Sequence, residues 1–217
     1  MHRLAGLLVA CMLCLVASAQ EAGKQGGATI TFTYNNDKLA PSDYQLKIHE
    51  DGSGTYWSSD GAVVGERKPF EQEITVTPPL LDSIFAVARS ENFFSMPCEM
   101  SGGHIAFQGH KTLAYEGPAG RGSCTFNFSK NKQIQKLNDD LQSISSTIEA
   151  GHRLLLARQH DKLSLDAELG TLLESVKDGR SIELQNIRPL LLEIAADPTV
   201  LNRARQRASL LAAGKTK

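Results

Sequence analysis

The chain has 217 residues, with 23 basic and 24 acidic side chains and a formal net charge of −1. That balance excludes the concentrated basic surface that nucleic-acid phosphates require. Past the N-terminal stretch no run reaches the roughly 20 apolar residues of a membrane-spanning helix, so the mature chain is expected to carry no transmembrane segment.

The N-terminus has the three parts of a secretory signal peptide. Met1-His2-Arg3 is positive, Leu4 to Val16 is apolar, and Ala17-Ser18-Ala19 is a small-residue cleavage site that leaves Gln20 first. The apolar run is too short for a membrane anchor. Leu8-Val9-Ala10-Cys11 also resembles a bacterial lipobox, which would lipidate Cys11, but the apolar run continues past it through Cys14. Residues 1–19 are therefore assigned to a cleaved signal and the rest to a secreted or periplasmic protein in an oxidising compartment. Removing the signal leaves two of the four cysteines, Cys98 and Cys124. In such a compartment they are expected to pair, and closing their loop contributes about 3 kcal/mol by chain-entropy reasoning.

After a glycine-rich lead-in, Thr29 to Tyr34 alternates, with Ile30, Phe32 and Tyr34 inward and threonines outward. Tyr44 to Ile48 repeats the pattern. Asp51-Gly52 and Gly54 then lead into Thr55-Tyr56-Trp57, a hairpin signal in which glycine supplies positive φ at little cost. This reads as an exposed edge hairpin. Consecutive strand residues point to opposite faces, so one of Tyr56 and Trp57 should lie outward as a partner contact. Glu73 to Thr77 is a further strand candidate. Pro78-Pro79 opens a helix whose apolar residues Leu80, Leu81, Ile84, Phe85 and Val87 have helical spacing. Ile105–Phe107 and Lys111–Glu116 read as strand pieces, and a glycine-rich connector at 117–122 leads to a second hairpin.

Cys124, Phe126 and Phe128 share one strand face, followed by Ile134, Leu137, Leu141, Ile144 and Ile148 at helical spacing, with Ser129 as N-cap. One segment thus closes a sheet and starts a long helix, which runs to about His160 or kinks at Gly151. Leu165–Lys177, Ile187–Ala196 and a helix restarting at Asp197-Pro198 follow. The expected fold is α+β: an antiparallel sheet of about five or six strands packed on helices, then an all-helical C-terminal extension. The divisions are 20–150, an α+β domain ending in a long helix, and 151–217, a helical hairpin subdomain.

Two resemblances accompany this reading. Tyr44 to Gly52, Leu80 to Phe94 and Lys111 to Phe128 resemble small bacterial secreted hairpin–helix–hairpin domains with no assigned function, which implies a fold and a compartment. Ile187 to Ala204, with Pro189 and the Asp197-Pro198 turn, resembles one HEAT-like helix pair, here a hairpin packed on the rest, because such repeats stand alone only in about three units.

No nucleophile elbow, P-loop, dinucleotide fingerprint or H-E-x-x-H occurs in the chain. No cofactor and no metal site are expected, and the five mature histidines read as scattered surface groups. Asp139-Asp140, Asp161, Asp166 and Glu168 read as solvated helix faces. Asn127-Phe128-Ser129 is a glycosylation sequon that matters only in a eukaryotic secretory pathway. The leading expectation is a non-catalytic module that binds a protein or another component of the cell envelope. The alternative is an extracytoplasmic hydrolase built on His104, His110 and nearby acids.

Overall fold

The computed structural model describes residues 27–59, 69–101 and 105–215. The signal peptide, the Cys11 lipobox, the cleavage point and His104 all lie outside these residues.

Six strands form one antiparallel sheet: β1 (Thr29–Asn35), β2 (Asp43–His49), β3 (Ser53–Ser59), β4 (Phe70–Thr75), β5 (His110–Gly117) and β6 (Gly120–Phe126). Their order is β4-β3-β2-β1-β5-β6. β1 to β4 form a meander, and the second hairpin returns to pair with the free side of β1. The Tyr56-Trp57 strand is therefore not an edge strand, because β4 pairs outside it. The second hairpin turns at Pro118-Ala119, and 105–107 is not a strand. That segment instead lies across the end of β6, where Asn127 Nδ2 donates to the Ala106 carbonyl at 3.2 Å and Gln108 N donates to Asn127 Oδ1 at 2.6 Å.

One sheet face is apolar, as the alternation of each strand requires. Ile30, Phe32, Leu46, Ile48, Tyr56 and Leu113 pack there against α1 (Pro78–Ser90) and the first half of α2 (Lys132–His160). The α+β expectation is met. Phe128 is only partly buried, because β6 ends at Phe126 and the chain turns toward α2. The N-cap of α2 is Asn131, whose side chain accepts from Gln133 N and Ile134 N, while Ser129 accepts from Asn131 N.

α2 runs unbroken through Gly151. Its 29 residues span about 43 Å at 1.5 Å each. A Cβ at Gly151 would stand 2.4 Å from Ile187 Cγ2, so glycine here serves close helix packing at a cost of about 1 kcal/mol in helix propensity relative to alanine. A second apolar cluster begins at Ala150 and takes in α3 (Leu165–Lys177), α4 (Arg188–Ala196) and α5 (Asn202–Ala212). α5 starts later than the Asp197-Pro198 dipeptide suggests. Asp197 Oδ1 accepts from both Thr199 N and Thr199 Oγ1, which closes a separate turn first.

The helical part also caps the β4 edge. Asn186 Oδ1 accepts from Thr75 N at 2.7 Å, and Gln185 Nε2 donates to the Thr75 carbonyl at 3.0 Å. Glu183 accepts from both Thr77 N and the Thr77 hydroxyl. These side chains satisfy groups that an uncovered edge would offer to another strand.

Asp166 departs from the solvated-face expectation. It is 7 % exposed, and Arg203 and Arg207 of α5 both donate to its carboxylate. Hydrogen bonding from Arg203 holds the carboxyl below the ordinary carboxylate range; burial opposes this, and the Arg207 charge reinforces it. A carboxyl lowered on folding adds stability that is complete above its unfolded value, about 3.9, and is lost as pH falls through the folded value. Denaturant unfolding followed by circular dichroism should therefore show the wild type ahead of Asp166→Asn at neutral pH, with the gap closing below about pH 4. A gap independent of pH would mean that the carboxylate charge does not act in this way.

Candidate functional site

Among the described residues no helix packs on the second face of the sheet, and strand alternation lines it mostly with polar side chains. The pairing register places them in rows across the strands. One row reads Glu71, Trp57, Gln45, Thr33, Thr112 and Thr125 from β4 to β6. The row beside it toward one end is Ser59, Asp43, Asn35 and His110. The row on the other side carries Glu73, Thr55, Lys47, Thr31, Ala114 and Ser123.

Tyr56 and Trp57 separate as strand geometry demands. Tyr56 is 0 % exposed, facing the helices, and offers no surface to a partner. Trp57 is 37 % exposed, on the open face. Beside it is a depression of about 480 Å³, whose lining includes Trp57, Gln45, Thr33, Asn35, Asp43 and His110. The side chains here are pre-arranged. Asn35 Nδ2 donates to Asp43 Oδ1, and the Ser42 hydroxyl donates to Asp43 Oδ2 at 2.6 Å. Thr112 and Thr125 hydroxyls are bonded to each other at 2.9 Å. The His110 ring meets Phe107 edge-on, with centroids 5.0 Å apart.

Beneath the sheet lies a second polar group that local sequence pattern does not reveal. Glu149 of α2 accepts from the Tyr56 hydroxyl at 2.8 Å and from Ser58 Oγ at 2.7 Å through the same oxygen. Burial, and then the Glu149 charge, push the Tyr56 phenol above its ordinary range. Along this face the rings of Tyr34 and Tyr44 stack at 4.9 Å, and His152 stacks on Phe70 at 3.9 Å. Lys111 is 2 % exposed and donates from Nζ to the Asn127 carbonyl at 2.7 Å. Burial pushes its ammonium below the ordinary lysine range, against the opposing pull of Glu99 and Asp139. These groups join elements of the core. Of them only Tyr34 and Tyr44 also line the depression beside Trp57, while Glu149, Tyr56, Ser58, His152 and Lys111 line none of the open depressions described on the outer face.

Of the residues singled out in the sequence, Cys98 and Cys124 form a disulfide with Cα atoms 5.6 Å apart. The bond leaves neither sulfur as a free thiol. His49 hydrogen-bonds Thr29 Oγ1 at 3.0 Å on the open face. His110 lies in the row beside Trp57, while His104 is outside the described residues. Both ends of the Asn127 carboxamide are occupied, by Gln108 N and the Ala106 carbonyl, so a glycan on this sequon would displace the folded 105–108 segment. Among the described residues no cluster of three or more histidine, cysteine, aspartate or glutamate side chains could hold a metal ion, and no helix is long and apolar enough to cross a membrane. Neither a scan against protein-family models nor a search of curated proteins found a match to the chain.

Proposed function

We propose that the chain works outside the cytoplasm as a non-catalytic binding module of the cell envelope, with the open sheet face around Trp57 as its working surface. One observation carries this reading: a partly exposed tryptophan borders a depression lined by both aromatic rings and hydroxyl, amide and carboxylate side chains, on a sheet face that none of the described helices covers. Tryptophan so placed offers a large, rigid contact area with a polar N–H at its rim. The signal-like N-terminal pattern and the paired cysteines support the compartment. The rigid arrangement of the neighbouring polar groups supports recognition, because little ordering is left to lose on binding.

The test compares the mature protein with Trp57→Ala for retention on the envelope fraction of its host at native salt. Retention of the variant should fall about tenfold, in line with loss of a binding hot spot, with the unfolding midpoint unchanged. Equal retention of the two proteins would remove this surface from the reading.

A further inference from the structure

We infer that the ligand of this face is a neutral glycan chain laid across the strands from Trp57 toward Thr125; this rests on the open face being the binding surface. The register sets the track. From β3 to β6 one row presents Trp57, Gln45, Thr33, Thr112 and Thr125. At a strand spacing of about 4.8 Å this row is about 19 Å long, enough for a short run of sugar rings. None of its five side chains is ionisable.

The chemistry of the row fits that occupant. A sugar ring has a C–H face, which suits the apolar surface of an indole ring, and hydroxyls that both donate and accept hydrogen bonds. Gln45 and the three threonines likewise offer both donors and acceptors. Asn35 adds an amide on the depression side.

Charge decides against the other occupants. A polyanion needs converging cations, yet the lining of the depression contains no lysine or arginine, and Glu71 stands directly across from Trp57. A cationic ligand would call on Asp43, which stands in the neighbouring row rather than in the Trp57–Thr125 row and is held there by hydrogen bonds from Asn35 and Ser42. Lys47, one row away on β2, further opposes a cation. An extended peptide adds to a sheet through backbone groups at an edge, whereas this face presents side chains alone. A neutral, hydroxyl-rich chain is the occupant these charges leave.

The chain has one tryptophan, so its fluorescence reports on this face directly. Titration of the mature protein with neutral tetrasaccharides of β-linked glucose, β-linked N-acetylglucosamine and α-linked glucose should give, for at least one, a saturable change in emission. The matching monosaccharide should bind at least about tenfold more weakly, since it covers only the Trp57 end. Gln45→Ala and Thr33→Val should each weaken tetrasaccharide binding severalfold without moving the unfolding midpoint. If no tetrasaccharide changes the emission at millimolar concentration while envelope retention still depends on Trp57, the glycan assignment is wrong and the binding surface stands. A saturable response to choline, a lysine-rich peptide or a sulfated glycan, with none to the neutral chains, also overturns it. If retention ignores Trp57→Ala, the underlying reading fails with it.

Discussion

Glu149→Ala should destabilise the protein by about 3 kcal/mol, because each of two buried hydroxyls that loses its acceptor costs about 1–3 kcal/mol. Tyr56 and Ser58 both donate to Glu149 Oε1, and both are buried under α2. The Ser58 hydroxyl can rotate toward another acceptor, but the Tyr56 hydroxyl is fixed by its ring. For a chain of this size the expected fall in melting temperature is about 6–12 °C. Glu149→Gln keeps a carbonyl in place and should cost about 1 kcal/mol, the difference between a charged and a neutral acceptor. The pairwise term can be isolated with Tyr56→Phe. On the wild-type background that change removes a satisfied bond and destabilises; on Glu149→Ala it removes an orphaned hydroxyl and should be neutral or stabilising. Denaturant unfolding of the four proteins gives the cycle. If Glu149→Ala and Glu149→Gln both fall within about 0.5 kcal/mol of wild type, the carboxylate is not the clasp between sheet and helix.

That clasp marks where a reading of the sequence stops. Alternation alone places Ile30, Phe32 and Leu46 inward and sets Tyr56 and Trp57 on opposite faces, since strand period depends only on neighbouring residues; which of the two faces out emerges only from the folded sheet. Helical spacing likewise brings Ile134, Leu137, Leu141 and Ile144 into the core. Glu149 falls among polar residues of α2, and nothing local signals its two partners more than 90 positions earlier. Asp166 is similar: a carboxylate on an amphipathic helix reads as solvated until α5 brings two arginines to it. The candidate binding row has the same origin. Thr33 reads as outward from β1 alone, but its alignment with Gln45, Trp57, Thr112 and Thr125 exists only once four other strands are in register. The edge status of the Tyr56-Trp57 strand depends on β4, whose Glu73–Thr75 stretch is legible but whose position in the sheet is not. Ile105–Phe107 is misread as a strand because an apolar triplet cannot show that Asn127 will take its backbone groups instead.

Replacing both bridged cysteines by alanine should cost about 3 kcal/mol, most of it through the greater freedom of the unfolded chain. Alanine is the substitute of choice because Cys98 and Cys124 are both buried, and a serine hydroxyl would add an unpaired polar group. The folded state should change as well, in one place. Three successive non-glycine residues, Asn92, Phe93 and Phe94, have φ of 49°, 53° and 63°. Left-handed backbone of this kind costs on the order of 1 kcal/mol or more per residue, so the surrounding structure must hold it. Phe94 does so from within the core, and Phe93 packs on Tyr115 with centroids 4.8 Å apart. β6 comes so close that a Cβ at Gly122 would lie 2.4 Å from the Phe93 carbonyl oxygen. The disulfide anchors the exit of this turn to the same strand, two residues beyond Gly122. Without the bond, the turn keeps its side-chain contacts but loses the tether that opposes its return to ordinary φ. Hydrogen exchange should therefore rise in residues 92–100 of Cys98→Ala/Cys124→Ala before it rises in β1 and β2, whose ladders do not involve the turn. Uniform loss of protection across the sheet would place the whole effect in the unfolded state. An unchanged unfolding midpoint after reduction, or two free thiols in non-reducing mass analysis, would refute the stabilising role of the bond itself.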